Sequence, residues 1–308
     1  MPTTINFNGI QYNDTTQSFS LKRFQQAIFG YGISSGVLYS LTNLVNNYGG
    51  VATDTTGVGT ARSSLAAAGY GGDRAIFRCG NDGLTVSTTN LVTNLGVVGG
   101  NVTGVGTARR LLAAAGYGGD KAIFGYGLDS MDFSVSETNL VSNTGVVGND
   151  VTGVGTTRYG LAAASYGLDK AIFGYGTIGS PVNMTNLVSN VGVVGTDVTG
   201  VGTARWHLAA AGYGDDKAIF AYGQSPFHLI SNLVSNTGVV ATNTTIVGTG
   251  RSLLAAAGYG GDKAIFGYGT TNSATNLTNL VSNLGVVATD TTGVGTARNG
   301  LAASGFGS

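Results

Sequence analysis

Six arginines recur at a near-constant interval along the chain: Arg62, Arg109, Arg158, Arg205, Arg251 and Arg298. A guanidinium presents five donors in a planar fork that matches carboxylates and phosphates. Six of them gathered in a ring could bind an acidic sugar or a phosphate. An Asp or Asn stands eight residues before each one: Asp54, Asn101, Asp150, Asp197, Asn243 and Asp290. With a candidate partner so close, a structural hydrogen-bonding role between repeated units is favoured over an open anion site.

The remaining chemistry is sparse. His207 and His228 are unique positions without metal-ligand spacing. Cys79 is the single cysteine, read as a buried free thiol, and it excludes a disulfide framework within the chain. The recurring Asp-Thr-Thr-Gly lacks the alternating oxygen ligands of a calcium loop. The many Gly-x-Gly strings have no helix after them to bind a dinucleotide. No catalytic residue, metal site or cofactor is therefore expected. Trp206-His207 and Phe227-His228 put aromatic rings in neighbouring segments, where they could stack on a sugar; filler packing is the plainer reading.

The elements that would position these residues are repeats. Ala-Ile-Phe begins at residues 27, 75, 122, 171, 218 and 264, in steps of 48, 47, 49, 47 and 46. Leu-Leu-Ala-Ala-Ala-Gly-Tyr-Gly-Gly-Asp-Lys-Ala-Ile-Phe-Gly-Tyr-Gly stands unchanged at 111–127 and 253–269. Each unit holds four short candidate strands. In the last full unit these are Leu253 to Tyr259, Lys263 to Tyr268, Thr278 to Ser282, and a fourth from Val286-Val287. Gly-Gly-Asp and Asn-Leu-Gly are turn signals between them. The recurring Asp-Lys pairs, such as Asp120-Lys121 and Asp262-Lys263, serve the first of these turns. Ala-Ala-Ala is too short a run before glycine for a helix. Parallel crossovers would need a dozen or more residues between strands.

Four antiparallel strands per roughly 47 residues is the signature of a β-propeller. Each strand type occurs six times, and the chain opens on a second-type strand and closes on a first-type one, Leu301 to Phe306. The expected fold is all-β: a six-bladed propeller of four-stranded antiparallel blades over residues 25–308, closed by pairing of the first and last strands. A linear β-solenoid is the rival, and it gives no reason for complementary ends.

The order of features resembles kelch-type propellers over about residues 25–308. In that family an arginine precedes the inner strand and a glycine pair ends the second. Here Arg251-Ser-Leu-Leu-Ala-Ala-Ala-Gly-Tyr and Lys263-Ala-Ile-Phe-Gly-Tyr-Gly269 look similar. Gly-Tyr-Gly replaces the glycine doublet, and Leu-Val and Val-Val replace the family's Tyr and Trp. The near-identical copies also resemble repeat arrays of phage and environmental viral proteins.

The loop after the second strand varies most, from Ile33–Tyr39 and Asn81–Val86 to Leu128–Phe133 and Gln224–His228. Variation confined to one loop of an otherwise constant repeat suggests a recognition surface on a rigid scaffold; drift of exposed loops is the alternative. Its candidate binding residues are Tyr39, Asp82, Asp129, Phe133, Trp206, His207, Phe227 and His228. Residues 1–24 lie outside the repeat. Ile5 to Tyr12 alternates like a strand, and the segment is expected to emerge opposite the variable loops and dock the protein to a larger assembly.

Composition excludes other classes. Fifty-three glycines, 10% charged residues and a formal net charge of zero argue against disorder and against nucleic-acid binding. No apolar run reaches a membrane span, so no membrane insertion is expected. The start has no basic-then-apolar pattern of a signal peptide. The functional expectation is a noncatalytic structural or attachment protein, such as a virion component. It would bind other subunits of an assembly, or a host surface receptor or glycan. A glycan-binding lectin is the alternative, and an enzyme with a site in the channel mouth comes third. The expected location is a virion or the extracellular space, with the cytoplasm as alternative.

Overall fold

Alternating burial is built into each repeat. In Ala113–Tyr117 the buried positions are Ala113, Ala115 and Tyr117, while in Lys121–Gly125 every residue after the lysine is buried. The first pattern suits a strand at a sheet edge, and the second a strand covered on both faces. The computed structural model describes residues 5–7, 10–12, 25–224 and 227–307. Among them no residue is helical.

The strands form small antiparallel sheets of one plan. An inner Ala-rich strand pairs with a middle Ala-Ile-Phe strand, and that with a Thr-Asn-Leu-Val strand. The unit of Ala113–Tyr117, Lys121–Gly125 and Thr138–Val141 is typical, with Ala115 opposite Ile123 and Ile123 opposite Leu140. The same plan recurs from Ala66–Tyr70, Ala162–Tyr166, Ala209–Tyr213 and Ala255–Tyr259. The sixth sheet joins distant parts of the chain: the final strand Ala302–Gly307 pairs with Gln25–Gly30, which pairs with Thr42–Val45. The end-to-end pairing expected from the sequence is present.

The fourth strand is mostly not a strand. In five sheets it makes only two isolated bridges to the third strand, such as Thr138↔Val151 and Val141↔Val147. Only beside Ile230–Val234 does a two-residue strand, Thr244–Thr245, form. The Gly/Asp/Thr stretch between the bridging valines spends its polar groups on side-chain hydrogen bonds instead. The expectation of four-stranded units is corrected to three strands with a bridged outer segment. The segment Ile5 to Tyr12 is likewise two short strands, Ile5–Phe7 and Ile10–Tyr12, rather than one. Its docking role lies outside the described residues.

Each sheet packs face to face on the next. From one sheet come the inner-strand Ala, Ala and Tyr and the middle-strand Ile; from the next come the middle-strand Ala and Phe. Ala66, Ala68, Tyr70 and Ile76 thus meet Ala122 and Phe124. The last interface joins Ala302 and Phe306 to Leu65 and Phe77. Small residues are needed on the inner strands because neighbours crowd there. A Cβ on Gly305 would stand 2.8 Å from the Gly258 carbonyl.

A set of backbone hydrogen bonds follows the same order. Ser64 N–H donates to Gly300, Gly300 to Leu253, Leu253 to His207, His207 to Gly160, Gly160 to Leu111 and Leu111 to Ser64, at 2.6–2.9 Å. The six bonds run head to tail and end where they began.

Phe306 is 2% exposed and shares a cluster with fully buried Phe77. Phe306→Ala and Phe77→Ala should each cost about 3–5 kcal/mol in urea unfolding. A cost below about 1 kcal/mol for Phe306→Ala alone would show that the last strand is not part of the core.

Candidate functional site

The six recurring arginines are fully buried. Arg158 shows the arrangement. Its Nε donates to the Tyr175 carbonyl at 3.0 Å, Nη1 to the Thr156 carbonyl at 3.1 Å, and Nη2 to Asn186 Oδ1 at 2.6 Å. The guanidinium lies 4.4 Å from the ring centre of Tyr126 in the preceding sheet. Arg62, Arg205, Arg251 and Arg298 cover Tyr31, Tyr175, Tyr222 and Tyr268 in the same way at 4.2–4.7 Å. Each of these five arginines is therefore a rivet between two sheets, and the six recurring arginines do not form a solvent-facing anion ring. Burial pulls each of these guanidiniums below the ordinary arginine range, and the facing tyrosine partly restores Arg158, Arg205, Arg251 and Arg298.

The acidic partner differs from the one that sequence spacing suggests. Arg298 is 3.5 Å from Asp54, not paired with Asp290 eight residues before it. Arg251 faces Asp290 and Arg158 faces Asp197, each in the sheet that follows. The aspartate also binds the connection that carries the arginine: Asp54 accepts from the Thr296 N–H and hydroxyl at 2.9 and 2.6 Å, and from Asn43 Nδ2 at 2.9 Å. Burial pushes Asp54, Asp150, Asp197 and Asp290 up, but the Thr and Asn hydrogen bonds outweigh it and hold them below the usual carboxylate range.

The tyrosine in each rivet has left-handed backbone, as at Tyr126 with φ 63°, an uncommon conformation for a bulky residue. The hydroxyls of Tyr31, Tyr126, Tyr175 and Tyr268 donate to a carbonyl in the connection, Val154 at 3.0 Å for Tyr126 and Val58 at 3.1 Å for Tyr31, while the buried Tyr222 hydroxyl finds no such partner among the described residues. One sheet departs from this plan. There Arg78-Cys79 replaces Gly-Tyr. Arg78 is fully buried, hydrogen-bonds the Val105 carbonyl that a tyrosine would reach, and donates to Asn139 Oδ1 at 3.0 Å. It adds a second buried cation beside Arg109. Glu137, the sole glutamate of the chain, stands against Arg109 and favours its charged form. Sequence reading took Cys79 as an isolated buried thiol, and it is buried. The break in the Gly-Tyr pattern at 78–79 was the available signal for Arg78.

The variable loops lie together at the end that carries the arginine connections. Each is pinned at its base by a bridge to that connection, as Leu128 is to Arg110, and the Leu128 loop is closed by a second bridge, to Ser134. Arg110 links two loops through Thr85 at 3.0 Å and an ion pair with Asp132. Asp129 Oδ1 accepts the backbone N–H of Met131 and Phe133 at 2.8 and 2.9 Å, which presents both side chains outward. Phe133 is 65% exposed, and Leu84, Met131, Ile178 and Phe227 are exposed as well. Asp82 fixes its loop tip through the Leu84 N–H. Tyr39 is half-buried, held by its N–H to the Gly32 carbonyl. The axial cavity at this end is only about 70 Å³ and is lined by leucines such as Leu65, Leu112 and Leu161.

Trp206 is not a free stacking platform. His207 lies on it at 3.8 Å between ring centres, Tyr159 meets it edge-on at 6.0 Å, and the Trp206 and His207 rings cover Gly160. Phe227 sits instead over Gly250 in the next connection, and His228 is tied by its N–H to the Gly223 carbonyl. Burial lowers the His207 pKa to about 4, with the nearby Gln224 side chain a smaller, opposing influence. Among the described residues, no group of three His, Cys, Asp or Glu side chains gathers in a metal-binding arrangement. No helix among the described residues is long and apolar enough to cross a membrane.

No protein-family model matches the chain, and no curated protein matches it significantly.

Restoring the repeat at the exceptional sheet tests the rivet. Cys79→Tyr alone should cost about 1–3 kcal/mol by overpacking against Arg78. Arg78→Gly/Cys79→Tyr should recover most of that, with a coupling above about 1 kcal/mol in a double-mutant cycle. Additive costs would show that the two positions do not share one space. His207 supplies a second test. Its folded pKa lies below the unfolded value, so the unfolded chain binds protons more readily as pH falls from about 6.5 to 4. Its stabilising contribution is complete above pH ~6.5 and is lost on acidification, by up to about 3 kcal/mol at pH ~4. His207→Leu, the residue at equivalent positions 111 and 253, should flatten stability between pH ~5 and 6.5, above the range where the aspartates titrate. An unchanged slope would place the titrating group elsewhere.

Proposed function

We propose that the chain is a six-bladed β-propeller, of kelch-like order, that serves as a noncatalytic interaction scaffold with its variable loops as the recognition face. The cyclic packing of six sheets and the completion of the first sheet by the last strand support the propeller. One observation carries the function: sequence variation concentrates in the loops at one end, and those loops expose apolar side chains such as Leu84, Met131, Phe133 and Phe227. Unpartnered tips held by ordered turns on a riveted frame suit protein recognition, where preorganised aromatic and aliphatic anchors supply most of the affinity. Sugar stacking on Trp206 has less support, since His207 and Tyr159 already pack on that ring. Display of this face on a larger assembly, such as a virion, rests on the likeness of the near-identical copies to viral repeat arrays.

The test uses binders selected on the wild-type protein from a peptide-display library and a glycan array in parallel. Phe133→Ala/Phe227→Ala, at exposed positions, should weaken peptide binding at least about tenfold, or 1.4 kcal/mol, with the melting temperature unchanged. Binding that survives replacement of loops 128–134 and 224–229 by Thr270–Ala274 would sink the proposal. Selective glycan binding lost on Trp206→Ala would favour the lectin.

A further inference from the structure

The opposite end of the molecule is built from two concentric sets of turns. The inner set joins the inner and middle strands and carries alternating charge. Lys121, Lys170, Lys217 and Lys263 pair with the aspartate just before them at 2.8–3.2 Å, and Arg74 stands 3.7 Å from Asp73. The outer set joins the third strand to the bridged segment. The two sets touch: a Cβ on Gly71 would lie 3.0 Å from the Asn143 carbonyl, and one on Gly118 3.0 Å from that of Asn190.

Turn tips are ordinarily polar. These outer turns instead present Val97, Val146, Val193, Val239 and Val286, together with Leu95 and Leu284, all 60–77% exposed. The display is rigid. A Ser or Thr hydroxyl in each turn accepts the valine N–H: Ser142 for Val146, Ser189 for Val193 and Ser235 for Val239 at 3.1 Å, Ser282 for Val286 and Thr93 for Val97 at 3.2 Å. Each side chain offers on the order of 100 Å² of apolar surface. Together they approach the roughly 800 Å² that one partner contributes to a stable interface.

We propose that this face binds the same face of a second copy of the chain, giving a twofold dimer with the variable loops directed outward at both ends. Charge selects the occupant. Every exposed cation in the ring has an aspartate beside it, so neither a polyanion nor an anionic membrane surface finds a field to match. A ring of alternating sign is complementary to itself when turned over a twofold axis, the self-matching that an isologous contact requires. The valines meet valines around it, and turns already held by Ser and Thr lose little freedom on contact. This face is separate from the variable loops, so its failure leaves the recognition reading untouched.

Sedimentation equilibrium of the full chain, from nanomolar to tens of micromolar, tests the dimer. The wild type should show a dimer whose mass survives removal of residues 1–24. Val146→Glu/Val193→Glu/Val239→Glu should weaken self-association at least about 100-fold, while Leu84→Glu/Phe133→Glu at the other end leaves it unchanged. Changing the five valines to the isosteric threonine provides a second variant should the charged one misfold by circular dichroism. A wild-type monomer throughout, a dimer indifferent to both valine variants, or a dimer lost with residues 1–24 would each overturn the proposal.

Discussion

The structure depends on one constraint: each sheet is too small to bury its own faces and is stable only against its two neighbours. Three short strands of Ala, Ile, Phe, Leu and Val present an apolar surface on both sides. A chain of such sheets is left with two bare outer faces unless its ends meet. The strand Ala302–Gly307 on Gln25–Gly30 removes both at once, and the same act removes two open edges that would pair with other chains.

Around that constraint the arginine rivet adds specificity. Apolar faces slide; a guanidinium held by two carbonyls and an amide oxygen, with a tyrosine beneath it, does not. Burying a charge is unfavourable unless its donors are satisfied, and here the shell comes from both sides of each sheet boundary. The aspartate completes it from the following sheet rather than from the arginine's own connection, so the ionic network crosses the same boundary as the apolar packing. At Arg78-Cys79 the repeat shows what the site requires: where the tyrosine is lost, an arginine takes over the hydrogen bond to the carbonyl of the connection.

The two ends of the molecule then separate by chemistry. At one end, loops of differing sequence stand on bridged bases with apolar tips. At the other, near-identical turns repeat the same exposed valine and the same Asp–Lys pair in sector after sector. Variation where a partner would be read, and repetition where a symmetric contact would form, are different uses of one scaffold.

Much of this was legible in the linear chain. The step of 46–49 residues, the short hairpin spacing and the complementary first and last strands determined an all-β array of six units joined end to end, because strand identity and turn position are local properties of sequence. The burial of the six arginines was legible in outline, since a constant charged residue in so apolar a repeat needs a partner. What only the tertiary structure decided was which partner. Arg298 meets Asp54 from the far end of the sequence and not Asp290, eight residues away, because sheet stacking and not chain proximity sets that distance. The outer segment likewise carries strand-like valines, yet its intervening polar groups bind an Asn of the neighbouring strand and a Thr across the boundary, and a regular fourth strand is given up to hold two sheets together.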